Sequence, residues 1–147
     1  MDGSTLTIII MVILVMLSGY FSATETAFSS LNKTRIKTLA ENGNKRANLV
    51  LDLSEKYDKL ISTILIGNNI VNIALASLGT VFFVKLLNDN DMGATVSTVV
   101  ITLVVLVFGE ISPKSIAKDS AEKFAMFSAP AINALIVVLT PDRKSVV

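Results

Sequence analysis

Residues 107–114 read VFGEISPK and close an apolar run, VVITLVVLVFGEI, in which Glu110 is the only charge. Pro113 lacks the amide hydrogen that would bond the carbonyl four residues earlier, so an α-helix here leaves the Gly109 carbonyl without its partner. Gly109 has no side chain to obstruct approach to that oxygen, and Glu110 supplies one full negative charge beside it. A bare carbonyl next to a carboxylate is half of a site for a hard cation. The alternative is that Pro113 ends the helix at the membrane interface, with Glu110 paired to Lys114 four residues on.

Two other stretches place polar groups inside apolar helices. SGYFSATETAFSS sets Ser18, Ser22, Glu25 and Ser29 four, three and four residues apart, which is one stripe of an α-helix. Hydroxyls on such a stripe either bond their own helix and allow close packing, or they face an ion. Glu25 either reaches the cytoplasmic interface or serves that stripe. LIGNNIVNIALAS carries Asn68, Asn69 and Asn72, and Asn72 must share a face with one or both of the others. Three amides in one apolar helix are costly unless paired, either through interhelical hydrogen bonds or through carbonyl oxygens turned to a cation.

These groups need a membrane around them. The chain has 147 residues, 52% hydrophobic and 17% charged, and a mean hydropathy of +0.66, which is too apolar for a water-soluble domain of this size. Its formal charge of +1 gives no reason to expect a nucleic-acid partner, and the absence of Cys and His excludes disulfides, thiolate or imidazole ligands and histidine proton relays. Oxygen ligands for hard cations remain plentiful. An enzyme acting on lipid is disfavoured, since no serine stands with a base nearby.

The predicted fold is an all-α membrane protein. Three spanning helices are expected at about 5–28, 60–87 and 93–112, each near the ~20 residues needed to cross ~30 Å of hydrocarbon. The first begins without a basic leader or cleavage motif and reads as a retained helix. Between the first two spans, residues 32–56 form two short amphipathic helices split by Asn42, Gly43 and Asn44, and their Lys and Arg excess places them on the cytoplasmic surface. Residues 121–140 form an interfacial or re-entrant helix broken by Pro130, with a fourth span as the alternative. Lys114, Lys118, Lys123, Arg143 and Lys144 follow the third span, whereas NDNDMG before it is acidic. The N-terminus is therefore expected outside and the C-terminal side inside. The chain stops at PDRKSVV with no soluble domain after it, which reads as a truncation.

With a helical rise of about 1.5 Å, Ser22 falls about 9 Å inside the cytoplasmic end of its span, Asn68 about 12 Å and Asn72 about 18 Å, with Glu110 in the same inner half. One carboxylate among neutral oxygens suits a divalent ion that must be released again.

The three signatures SGYFSATETAFSS, LIGNNIVNIAL and VFGEISPKSIA, in this order with a basic loop between the first two, closely resemble the transmembrane domain of the CNNM/CorC magnesium transporter family over essentially the whole chain. The resemblance implies a dimeric membrane domain in the inner (plasma) membrane and sodium-dependent Mg2+ export, with Na+ as the coupling ion. It carries the Mg2+ ligands onto Ser22, Asn72, Gly109 and Glu110, with Pro113 keeping the carbonyl free. The chemistry of the residues points to the same four. Glu25, Thr26, Ser29, Asn68 and Asn69 are further polar candidates, some of them for sodium. Small residues Ala74, Ala76, Ser77 and Gly79 would let a second copy approach. The CBS and CorC modules that usually follow are missing, so nucleotide regulation is not carried over. The competing class is a membrane-embedded sensor or scaffold that binds Mg2+ without moving it.

Overall fold

The computed structural model describes residues 3–139, and every element among them is helical. Arg143 and Lys144, counted above among the inside charges, lie outside the described residues, as does residue 140 at the end of the expected C-terminal helix. In chain order the elements are α1 (Gly3–Ser30), α2 (Lys33–Glu41), α3 (Lys45–Glu55), α4 (Tyr57–Leu87), α5 (Asn90–Val104), a π-helical segment (Val105–Ile111), α6 (Ser112–Asp119) and α7 (Ala121–Leu139). The short helices start where asparagine and aspartate side chains can cap them. Asn32 accepts from the Arg35 amide at 3.2 Å, Asn44 from Ala47 at 3.0 Å and Asp89 from Met92 at 3.1 Å. The α2–α3 turn needs Gly43 at φ +97°, a left-handed conformation that glycine adopts at little cost.

Four helical stretches are long and apolar enough to cross a membrane: Gly3–Ser30, Tyr57–Leu87, Asn90–Asp119 and Ala121–Leu139. Two expectations change. The third stretch does not end at residue 112, because α5, the π-helical segment and α6 run on as one helix to Asp119. The C-terminal helix is not broken, since α7 continues through Pro130. Pro130 is exposed, while Ala121, Ala125, Ser128, Ala129, Ile132 and Ile136 are buried on the other side. Proline inside a helix removes only the one bond to the carbonyl four residues back, and apolar helices tolerate this when a packed face holds them straight. At 19 residues, α7 is about 28 Å long and meets the length of a fourth span.

The chain divides into two compact units. The first comprises residues up to 22 together with 67–114. Here α4 and α5 run antiparallel at very short range. A Cβ on Gly93 would lie 2.5 Å from the Val84 Cα, and one on Gly79 would lie 2.9 Å from the Ser97 hydroxyl. Small residues permit such backbone approach where no water drives helices together.

The second unit comprises residues 23–66 and those from 115 onward. The amphipathic helices close on each other and on α7, with Ile36, Ala47, Val50, Leu53, Ala125 and Ala129 essentially inaccessible. Arg35 of α2 pairs with Glu122 of α7 at 3.0 Å, and Thr24 donates to Ser128 at 3.4 Å between buried side chains.

Candidate metal site

α1, α4 and the π-helical segment meet at Ser18. Its hydroxyl donates to Asn68 Oδ1 at 3.3 Å, and it lies 2.9 Å from where a Cβ on Gly109 would sit. Ser18 is fully buried and Gly109 is buried against it. Any residue larger than glycine at 109 would therefore push the serine oxygen away. Glu110, the next residue, is half-buried. One level of the first unit thus holds a hydroxyl, an amide carbonyl and a glycine backbone, with Glu110 next in sequence.

The π-helical register changes which carbonyl the proline exposes. The Ser112 amide bonds to the Val107 carbonyl five residues back, so it no longer serves Phe108, its four-back partner. Pro113 has no hydrogen for Phe108 in the five-residue register, nor for Gly109 in the four-residue register. The Phe108 carbonyl consequently loses both helical donors. It lies 3.0 Å from where a Cβ on Gly19 would be, and the Pro113 ring packs 3.1 Å from the same point. Sequence spacing had assigned the bare oxygen to Gly109 alone. The extra residue of the π-helix leaves no periodic signal, and only Pro113 hinted at it.

The register of α1 against α4 follows from two contacts. Ser18 meets Asn68, and Phe21 packs its ring 2.8 Å from a Cβ position on Gly67. Rising numbers on α1 meet falling numbers on α4, so the helices are antiparallel. Ser22, 2% exposed, lies one turn, about 6 Å, beyond Ser18. Asn72 lies about 6 Å beyond Asn68 in the opposite direction. Ser22 and Asn72 accordingly differ in height by about 12 Å, against the ~4 Å between opposite oxygens of one octahedral Mg2+. The expected ligand set spreads along the helices, with Asn68 and Ser18 midway. In sequence Ser18 is one residue of the polar stripe, and the expected ligand set does not include it.

Asn72 Oδ1 is buried and has no hydrogen-bond partner among the described residues. Such an acceptor costs about 1–3 kcal/mol unless something answers it. Asn69 is exposed and off this face. Glu25 and Thr26 are half-buried and belong to the second unit, as does exposed Ser29, which bonds the Glu25 carbonyl at 2.9 Å and the Tyr57 hydroxyl at 2.8 Å. Among the described residues no three acidic side chains cluster as a metal would require of an all-carboxylate site. A cation here would rely on neutral oxygens and Glu110.

Comparison with known proteins gives consistent matches. The family described as the cyclin M transmembrane N-terminal domain, CNNM, matches residues 9–146. A UPF0053 protein of Haemophilus influenzae is 45% identical over 138 residues, covering 94% of this chain and 32% of its own length. The UPF0053 inner membrane protein YfjD of Escherichia coli is 43% identical over 125 residues, covering 85% of this chain and 29% of its own. A chloroplastic DUF21 domain-containing protein of Arabidopsis thaliana is 30% identical over 138 residues, 94% of this chain and 21% of its own. The chain spans a third or less of the length of these curated relatives.

Proposed function

The chain belongs to the CNNM transmembrane family, and from that premise we propose that this multi-pass membrane protein moves Mg2+ from the cytoplasm outward in exchange for Na+. The observation that carries the reading is the convergence of Ser18, Asn68 and Gly109 beside Glu110. Glu110 neutralises part of the ion's charge, and the Asn68 and Ser18 oxygens stand in for water. The Phe108 and Gly109 carbonyls are held open by Pro113. Asn72 and Ser22, one turn to either side, give the ion oxygens before and after this level, so that it need not be fully hydrated or fully bare along the way. A single carboxylate keeps binding reversible, as transport demands.

The relative in Escherichia coli named as an inner membrane protein supports the same location for this chain. A homodimer with cytoplasmic regulatory modules attached is part of the proposal, as is the inside position of α2 and α3. The test is flux. Proteoliposomes loaded with a magnesium-sensitive dye should show Mg2+ movement when a sodium gradient is imposed, and Glu110→Ala should abolish it. Mg2+ binding by calorimetry without any movement would defeat the transporter reading in favour of a sensor.

A further inference from the structure

The second unit holds a basic cavity that ion transport does not use. It measures about 250 Å³ and is lined by Lys33 and Lys37 of α2 and by Leu51, Ser54 and Glu55 of α3. Lys33 and Lys37 are four residues apart and so project from one face of α2. Neither makes an ion pair among the described residues, whereas Arg35 on the adjoining face is committed to Glu122. The Ser54 hydroxyl is shielded from solvent and has no hydrogen-bond partner among the described residues, although a serine near the end of a helix could have bonded its own backbone. Two free cations and a hydroxyl with its hydrogen unused call for an oxyanion.

We infer that this cavity binds the phosphate of an anionic membrane phospholipid. The depth supports a lipid source. The last apolar turn of α1 ends near Phe28 and the apolar part of α4 starts at Leu60, both buried in this unit. The α2–α3 hairpin connects them, at the level where headgroup phosphates lie. Leu51 adds an apolar wall for the glycerol end. Glu55 borders the same cavity and sets the ligand's charge. Two lysines against one carboxylate leave a single positive charge, which matches a phosphodiester and disfavours the second charge of a phosphomonoester or of free phosphate.

Native mass spectrometry of the full chain, purified and exposed to equimolar phosphatidylglycerol and phosphatidylcholine, tests this. The wild type should retain phosphatidylglycerol preferentially. Lys33→Gln with Lys37→Gln should lower that retention by about thirtyfold, five- to sixfold for each lysine, with phosphatidylcholine retention and melting temperature unchanged. Ser54→Ala should lower it less. The variant carrying Lys45→Gln and Arg46→Gln removes the same charge outside the cavity and should keep most of the preference. Equal loss in that control would mean diffuse attraction and no site. Unchanged retention in the Lys33/Lys37 variant would overturn the assignment outright. Inorganic phosphate that competes off phosphatidylglycerol at millimolar concentration would assign the cavity to a free anion instead.

Discussion

Ser18 and Asn68, fifty residues apart in sequence, share a hydrogen bond of 3.3 Å between two helices that cross the apolar layer. The serine oxygen also abuts Gly109, so one hydroxyl sets the spacing of three helices. Ser18→Ala leaves the Asn68 carbonyl without its donor. Interhelical bonds of this kind are worth about 1 kcal/mol or less, so the melting temperature in detergent should fall by only a few degrees. Mg2+-dependent thermal protection should fall much further. Equal losses in the apo and Mg2+-loaded protein would confine Ser18 to packing.

Asn72 allows stability and function to be separated. Its Oδ1 is buried without a partner among the described residues, and replacing an unsatisfied polar group by an apolar one of similar size removes a desolvation cost of about 1–3 kcal/mol. Asn72→Leu should therefore raise the melting temperature of the apo protein while reducing Mg2+ flux at least tenfold. A destabilised Asn72→Leu would show that the amide is satisfied structurally and does not wait for an ion.

The π-helical segment is one residue longer than an α-helix would be over the same rise, and such insertions persist at functional sites. Deleting Val107 should return the segment to four-residue bonding, so that the Ser112 amide serves the Phe108 carbonyl and the oxygen exposed by the π-register is lost. Circular dichroism should report unchanged helix content. Mg2+ binding should be lost, and a deletion variant that still binds would detach the register from the site.

Gly93 faces the Val84 backbone so closely that a Cβ would sit 2.5 Å from Cα and 2.7 Å from N. Neither atom can rotate away, so Gly93→Ala must part α4 from α5. The expected cost is about 2–3 kcal/mol, toward the upper end for overpacking, seen as a large drop in melting temperature. Gly3→Ala, where nothing lies within 4 Å, is the control and should have little effect.

Sequence alone reached the all-helical membrane character, because apolar runs of spanning length are a property of composition and need no tertiary partner. It also located the α2–α3 turn, since Asn32, Gly43 and Asn44 act on backbone groups within three residues of themselves. The spacing of Asn68 and Asn72, and of Ser18 and Ser22, gave the polar faces, as helical periodicity is local.

Other features depended on which helices pack together. The sequence suggested that Pro130 divides the last helix, but the buried small-residue face opposite it keeps α7 continuous. Nothing periodic announced the π-helical register, and that register puts the Phe108 carbonyl beside Gly19. The antiparallel offset of α1 and α4 then paired Ser18 with Asn68 and left Ser22 and Asn72 a turn away on opposite sides. Spacing within one helix fixes the direction of a side chain, but the height at which two helices meet comes only from their mutual contacts, because each helix can slide along the other without altering its own periodicity.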